Sequence, residues 1–375
     1  MRELRVFSLF AGVGGFELGF QRAGHTVVGS CELDPSAGQV LAHHFPKVKR
    51  HLDIRTLKTL PRGTDTLTAG FPCQDLSQVG VRRGFSGERS GLVREALRLM
   101  KTSQVPYALF ENVRFMLHVG RGDAMRYLLS EIEALGYMWA YRVVDTRAFG
   151  LPQRRERVLL LASKDADPRP ILLGQQGEPD GVAKSAGRVS CGFYWTEGRT
   201  GLGWVENGVP PLKGNSGFGI PSPPAVVRRD GSIVIPGIED AEYLQGLPRG
   251  WTRPATDASR GVRWRLVNNA VSVPVAQWVA ERLCGRVGRF TDTGAEMPAV
   301  FPCAAWNVGS GRRASSATMF PVRAPYVGID DALEGPSALS LRATSGFLSR
   351  LNAGSLRSVE WFKPALSSYI ASFKP

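Results

Sequence analysis

Short apolar runs alternate with amphipathic stretches from Arg5 to about Ala162, which predicts an α/β sheet layered with helices. The expected strands are Arg5 to Leu9, Thr26 to Ser30, Thr66 to Ala69, Tyr107 to Phe110, Ala140 to Val144 and Val158 to Ala162. Between them, Leu92, Val93, Ala96, Leu97 and Met100 share one helical face, and Tyr127, Leu128, Ile132 and Leu135 share another. After Ala162 the pattern changes: Gly, Pro and Ser become frequent through Ser222-Pro223-Pro224 and helical periodicity fades, as in a loop-rich second lobe. Periodicity returns from Val267 to Leu283, with Val275, Trp278, Val279 and Leu283 on one face. This divides the chain into 1–165 joined by 262–285, a lobe at 166–261, and an extension at 286–375. The extension carries a turn at Gly309-Ser310-Gly311 and a helix near Glu360 to Phe373, with no evident chemistry.

At 375 residues the chain is long enough for two lobes, and its 43% hydrophobic content is that of a soluble protein. No run approaches the roughly 18 uninterrupted apolar residues of a spanning helix, and the opening apolar run Phe7 to Ala11 leads into a glycine loop rather than a cleavage site. A cytoplasmic protein without membrane contact is expected. The five cysteines, Cys31, Cys73, Cys191, Cys284 and Cys303, include no Cys-x-x-Cys pair, so neither a metal site nor redox pairing is expected. The formal charge of +14 favours a polyanionic partner, because Lys and Arg release counterions as they neutralise phosphates. From Ala166 to Arg260 there are 10 Arg and Lys against 10 Asp and Glu, so the basic excess lies elsewhere. A lobe that reads base edges has no need of it.

Gly12, Gly14 and Gly15 follow the first expected strand and precede a helix, a turn that lets backbone approach a nucleotide-like ligand. Glu32, at the end of the second strand, is placed to accept from ribose hydroxyls. A glycine turn with a downstream acid suits NAD, FAD or S-adenosylmethionine alike. Cys73, in GFPCQDLS, emerges at the sheet's carboxyl edge after a strand, with Pro72 stiffening the approach; as an isolated cysteine it reads more readily as a structural thiol than as a nucleophile. FENV brings Glu111 to the same edge, where a carboxyl can protonate a ring nitrogen or cap the next helix. QRRERV supplies Arg154, Arg155 and Arg157, candidates for binding phosphate, orienting Glu111 or contacting a base carbonyl.

In their order and spacing FSLFAGVGGF, GFPCQDLS, FENV, QRRERV, LQGLP and VNNAVSVPV resemble the motifs of the cytosine-5 DNA methyltransferases, from about Arg5 to Leu283 with a divergent middle. The resemblance implies a Rossmann-like S-adenosylmethionine-dependent sheet with a smaller target-recognition lobe at 166–261. It implies that Cys73 attacks carbon 6 of a flipped cytosine, that Glu111 engages ring nitrogen 3, and that Arg157 contacts the ring carbonyl with Arg155 supporting the pocket. The donor site would collect Phe10, Gly12, Gly14, Gly15, Glu32, Asp53 on the adenine amine, Pro72, Leu92, Asn269 and Val271. Arg82, Arg83 and Arg89 lie in a loop, Gln74 to Gly91, expected to close over the flipped base. Arg199, Lys213, Arg228 and Arg229 are expected to read bases, since arginine pairs bidentately with guanine. Two departures stand out. Ser8 occupies a position where relatives often carry an acid near the donor's amino group, which leaves open how the methionine moiety is held, and Asn268 replaces a usual glycine.

The expected partner is double-stranded DNA at the nucleoid, met by a monomer, with a restriction endonuclease as functional companion. Three alternatives remain at this level: an RNA cytosine methyltransferase built on the same motifs, a non-catalytic DNA-binding regulator, and a dinucleotide oxidoreductase. The regulator has no use for both Cys73 and Glu111, and the oxidoreductase leaves the PCQ and ENV segments without a role.

Overall fold

The computed structural model describes residues 2–71, 91–177, 189–199, 201–213, 222–256, 260–285 and 287–373. The chain divides into two compact units: Met1–Ala148, Glu156–Glu178 and Val271–Arg323 form the first, and Phe149–Arg155, Pro179–Ala270 and Ala324–Pro375 the second.

The first unit opens with β1 (Arg5–Leu9), α1 (Gly15–Arg22), β2 (Thr26–Cys31), α2 (Pro35–His44), β3 (Arg50–His51) and β4 (Thr66–Gly70). It continues with α3 (Gly91–Ser103), β5 (Tyr107–Val113), α4 (Asp123–Ala134), β6 (Met138–Asp145), β7 (Glu156–Ser163) and α5 (Pro168–Leu172). β1 pairs in parallel with β2 on one side and β4 on the other, and β4 pairs in parallel with β5. The sheet order therefore reverses at β1, and open α/β sheets take their ligands beyond the strand ends at such a point. β7 is inserted antiparallel between β5 and β6, so its first residues lie at the edge where β5 ends. The strands are buried almost throughout, with the small polar side chains of Ser8, Thr66 and Thr68 set among the apolar ones of β1 and β4. β5 runs three residues beyond its expected end, which puts Glu111 inside the strand, opposite Gly70 of β4, rather than on the loop after it.

The second unit then takes β8 (Cys191–Phe193), β9 (Val205–Glu206), β10 (Ala225–Val227), β11 (Ile233–Ile235), α6 (Ile238–Leu244) and α7 (Arg260–Asn269). Back in the first unit come α8 (Val273–Cys284), β12 (Ala295–Glu296), β13 (Ala304–Asn307) and β14 (Arg313–Ala314). The chain closes in the second unit with α9 (Ile329–Ala332), β15 (Ser337–Ala338), α10 (Leu341–Ala353) and α11 (Phe362–Ala371). The periodic stretch from Val267 to Leu283 is thus two helices. Ser272 starts the second one, and Pro274 in its first turn lacks the N–H that a continuous helix would need.

The division expected at 165/166 and 261/262 falls instead near 178 and 270, and residues 286–375 form no separate extension. Part of that segment adds β13 antiparallel to β6, which gives a ten-stranded sheet ordered β12-β14-β13-β6-β7-β5-β4-β1-β2-β3. Arg142 of β6 is wholly buried and donates to the carbonyl oxygens of Thr318 (2.6 Å), Leu172 (3.2 Å) and Gln175 (2.7 Å). A buried guanidinium needs acceptors, and the Thr318 carbonyl is supplied by the returning tail. The rest of the tail belongs to the second unit. There β15 joins the sheet β15-β11-β10-β8-β9, and the rings of Phe347 and Phe362 pack 5.1 and 5.0 Å from that of Phe193.

Candidate active site

The carboxyl edge of the first unit's sheet brings together the glycine loop, Glu32, Glu111 and Arg157. β1 delivers Phe10, at φ +55°, and then Gly12 and Gly14 at +56° and +90°. A Cβ on Gly14 would stand 2.6 Å from the Phe45 ring of α2, and one on Gly15 would run into the Val271 carbonyl oxygen. Gly12 faces open space. The loop is therefore pinned at Gly14 and Gly15 and open at Gly12, where backbone is free to meet a ligand.

Glu32 follows β2. Its carboxylate accepts from the Gly12 amide at 2.7 Å and from the Asp34 amide at 2.7 Å. Burial raises its pKa above the ordinary carboxylate value, and these amide bonds oppose that rise. The acid thus shapes the glycine loop, a role not read from the sequence, and its oxygens keep lone pairs for hydroxyl donors. Asp53, the residue expected to meet the adenine amine, follows β3. It caps the turn Ile54–Thr56 by accepting the Arg55 amide at 2.9 Å, and the Arg55 side chain holds it through bonds of 3.0 and 2.7 Å, lowering its pKa. Beside these two acids Leu33 and Leu52 stand 65% and 59% exposed, an apolar surface suited to a flat base. As single leucines in turns they gave no signal in the sequence. The pinned loop with its bonded acid and the exposed leucines fit an adenosine-bearing donor. Leu92, at the start of α3, packs against the core.

At the neighbouring strand ends, Glu111 and Arg157 meet across β5 and β7. Val113 pairs with Arg157 in register, so Glu111 is its diagonal neighbour on the same face. The Arg157 Nε lies 3.0 Å from the Glu111 carboxylate, and both side chains are largely buried. Glu111 also stands 3.6 Å from where a Gly70 side chain would begin, three residues before Cys73. Asn112, 3% exposed, donates to the Phe71 carbonyl at 3.0 Å and so ties β5 to the chain entering the cysteine segment. It is the middle residue of the ENV motif, and it was overlooked in the sequence because its neighbours carried the chemistry. Pro72, Cys73, Arg82, Arg83 and Arg89 lie outside the described residues. Of the cysteines that are described, Cys31 is pushed up to about 12 by burial and Cys284 is raised by the same cause. Neither is poised as a thiolate.

Arg155 and Asn269 belong to the second unit. Arg155 donates to the carbonyl oxygens of Asn268 (3.1 Å) and Ala270 (2.9 Å), where a cation meets the carboxyl end of α7. It is therefore bound to backbone. Asn269 is exposed and accepts from the Asn268 amide at 3.2 Å. Of the four expected base readers, Lys213 pairs with Glu197 and lies 3.7 Å over the Tyr194 ring, and Arg228 lies 3.7 Å from Asp330. Arg199 and Arg229 are exposed. Among the described residues no group of three or more His, Cys, Asp or Glu is placed to hold a metal, and no helix is long and apolar enough to cross a membrane.

An S-adenosylmethionine-type sheet with a glycine cradle at β1 and an acid–arginine pair beside Gly70, at the end of the strand that precedes Cys73 in the sequence, defines a class of methyl-transferring enzymes. Residues 4–180 match the family of C-5 cytosine-specific DNA methylases. Type II methyltransferase M2.BsuMI of Bacillus subtilis (strain 168) is 45% identical over 362 residues, spanning 92% of this chain and 93% of its own. M.Bsp6I of Bacillus sp. (strain RFL6), also a Type II methyltransferase, is 29% identical over 75% of this chain and 98% of its own. The crystal structure of S. pombe Dnmt2 methyltransferase superposes with a TM-score of 0.54 at 16% identity, covering 74% of this chain and 98% of that one, a likeness of fold. The chain belongs to the C-5 cytosine-specific DNA methylase family. It is a DNA cytosine-5 methyltransferase that uses S-adenosylmethionine.

Proposed function

We propose that Cys73 is the nucleophile of this methyltransferase and that Glu111 and Arg157 activate the cytosine it attacks. The observation that carries this reading is the Glu111–Arg157 pair, held 3.0 Å apart at the end of β5 beside the strand that leads into Cys73. A thiolate adding to carbon 6 drives charge toward ring nitrogen 3, where a carboxyl is needed to donate, and Arg157 both orients that carboxyl and offers donors to the ring carbonyl. When bound, S-adenosylmethionine supplies the electrophilic methyl that carbon 5 takes up. A base then removes the carbon 5 proton and Cys73 leaves. The glycine loop, Glu32 and the exposed Leu33 and Leu52 would hold the donor's nucleoside. Asn112 positions the cysteine segment through the Phe71 carbonyl.

The substrate is double-stranded DNA, whose target base must be flipped at a cost of roughly a few kcal/mol. The loop from Gln74 to Gly91 is assigned to cover it, and the second unit to read sequence. M2.BsuMI and M.Bsp6I are named Type II methyltransferases, which supports a modification enzyme that acts alongside a restriction endonuclease. We take it to act as a monomer in the cytoplasm. The test uses duplex DNA carrying 5-fluorocytosine, in which fluorine replaces the carbon 5 hydrogen and cannot leave in its stead, so the elimination that frees Cys73 is blocked. Wild type should be trapped as a denaturant-resistant adduct that depends on the donor, and Cys73→Ser should give none. An adduct in the serine variant would assign the nucleophile elsewhere, and trapping on transfer RNA but not duplex DNA would overturn the assigned substrate.

A further inference from the structure

Glu17 lies in the first turn of α1, directly after the glycine loop, and is fully buried. Neither of its carboxyl oxygens has an aligned hydrogen-bond partner among the described residues. Among the described residues no cationic side chain is paired with it. Its own backbone amide eases the anion, and so does the buried Ser8 hydroxyl of β1, which accepts from Thr68 at 2.9 Å and is left with its own hydrogen. Beyond β2 stands Glu32, a second acid whose charge opposes ionisation. α2 contributes Leu41 and Phe45, and α8 packs on α1 through Ala276, 2.6 Å from where a Gly19 side chain would begin. Glu17 and Ser30 line a cavity of about 430 Å³ together with Arg50, an exposed side chain whose guanidinium lies against Gly38 of α2.

A buried carboxylate without a partner is costly unless a ligand brings the missing cation. S-adenosylmethionine carries a sulfonium and an ammonium against one carboxylate, so it arrives net positive. We propose that Glu17 is a positioning acid for the methyl donor: ionised beneath the glycine loop it favours the cationic donor, and when protonated it no longer does. The inference rests on the family's use of that donor.

Burial pushes the Glu17 carboxyl up to about 7, so the exchange falls in the neutral range. A cation that favours the ionised form lowers this pKa and releases a proton on binding, and by linkage the donor then binds about five- to tenfold more weakly at pH 6 than at pH 8. Isothermal calorimetry on the full chain measures both effects, run in two buffers of different ionisation enthalpy. Wild type should release a fraction of a proton at pH 7 with S-adenosylmethionine, and less with S-adenosylhomocysteine, which lacks the sulfonium charge. In Glu17→Gln the pH dependence of donor affinity should flatten. The amide mimics the protonated acid, so this variant should fold. Ionisation burdens wild type progressively as pH rises from the ordinary carboxyl value of 4.5 through 7, so the variant should melt higher at pH 8 and nearly equally at pH 4.5. If Glu17→Gln keeps the wild-type pH profile, another acid such as Glu32 titrates and the proposal fails. If wild type binds donor near pH 7 without releasing a proton, it fails whatever the variant does. If wild type binds neither ligand at any pH, the donor site itself is misassigned.

Discussion

The two units solve different problems with different architectures. In the first, strands of five to eight residues run side by side from β1 to β7, apart from the short β3, and the residues assigned to chemistry sit at their ends. In the second, the sheet strands are two or three residues long, and the core around Phe193 is completed by helices from more than 100 residues further along the chain. Long hydrogen-bonded strands fix positions to within a hydrogen bond, as a proton-donating carboxyl requires. Short strands joined by loops tolerate variation, which suits a surface that must match one DNA sequence.

That contrast is broken most severely at Phe362. Phe362→Ala removes a fully buried ring from the second unit and should cost about 3 to 5 kcal/mol there. Calorimetric S-adenosylmethionine binding should persist while sequence-specific DNA binding fails; simultaneous loss of both would mean that the units do not behave separately. In the first unit, Glu111→Gln should lower turnover by about 100-fold with the fold and DNA affinity intact, on the usual scale of general-acid contributions. A single-turnover rate within threefold of wild type would exclude this carboxyl as the activating group. The smallest effect, and the sharpest division, lies among the basic side chains of the second unit. Arg199→Ala and Arg229→Ala should each relax preference at one base pair by about 1 to 3 kcal/mol if they read guanine. Lys213→Ala and Arg228→Ala should leave site preference unchanged, because those side chains already have partners. Bisulfite sequencing of methylated random duplexes reads all four, and an effect confined to Lys213 would reverse the assignment.

The strand cores of the first unit were legible because a strand buried on both faces must be apolar in a short run bounded by turn residues. Every expected strand start from β1 to β5 coincides with an observed one. The ends were less legible: FENV continues β5, since pairing with β7 decides where a strand stops, and the position of β7 is not written locally. Asp53 illustrates the same limit at the site. Its place on the adenine amine came from the family resemblance, and its ion pair with Arg55, two residues on, is a local contact that the resemblance does not disclose. Arg155 and Arg157 read as one basic cluster, but only Arg157 pairs with Glu111, whereas Arg155 is bound to the carbonyls of Asn268 and Ala270.

The sequence by itself determined the family, the donor and the reaction, because those depend on residue types that chemistry demands at the ends of strands whose apolar cores announce themselves. The tertiary structure alone decided where the tail goes. Residues 287–323 extend the catalytic sheet and cover Arg142, while 324–373 complete the core of the other unit. Nothing local separates the two halves of that tail, since each is apolar enough to be buried somewhere and only the exposed edge of β6 and the unfilled face of Phe193 say where. The tertiary structure also singled out Glu17, an ordinary first-turn acid in the sequence, whose burial without a hydrogen-bond partner among the described residues comes from the elements packed around it.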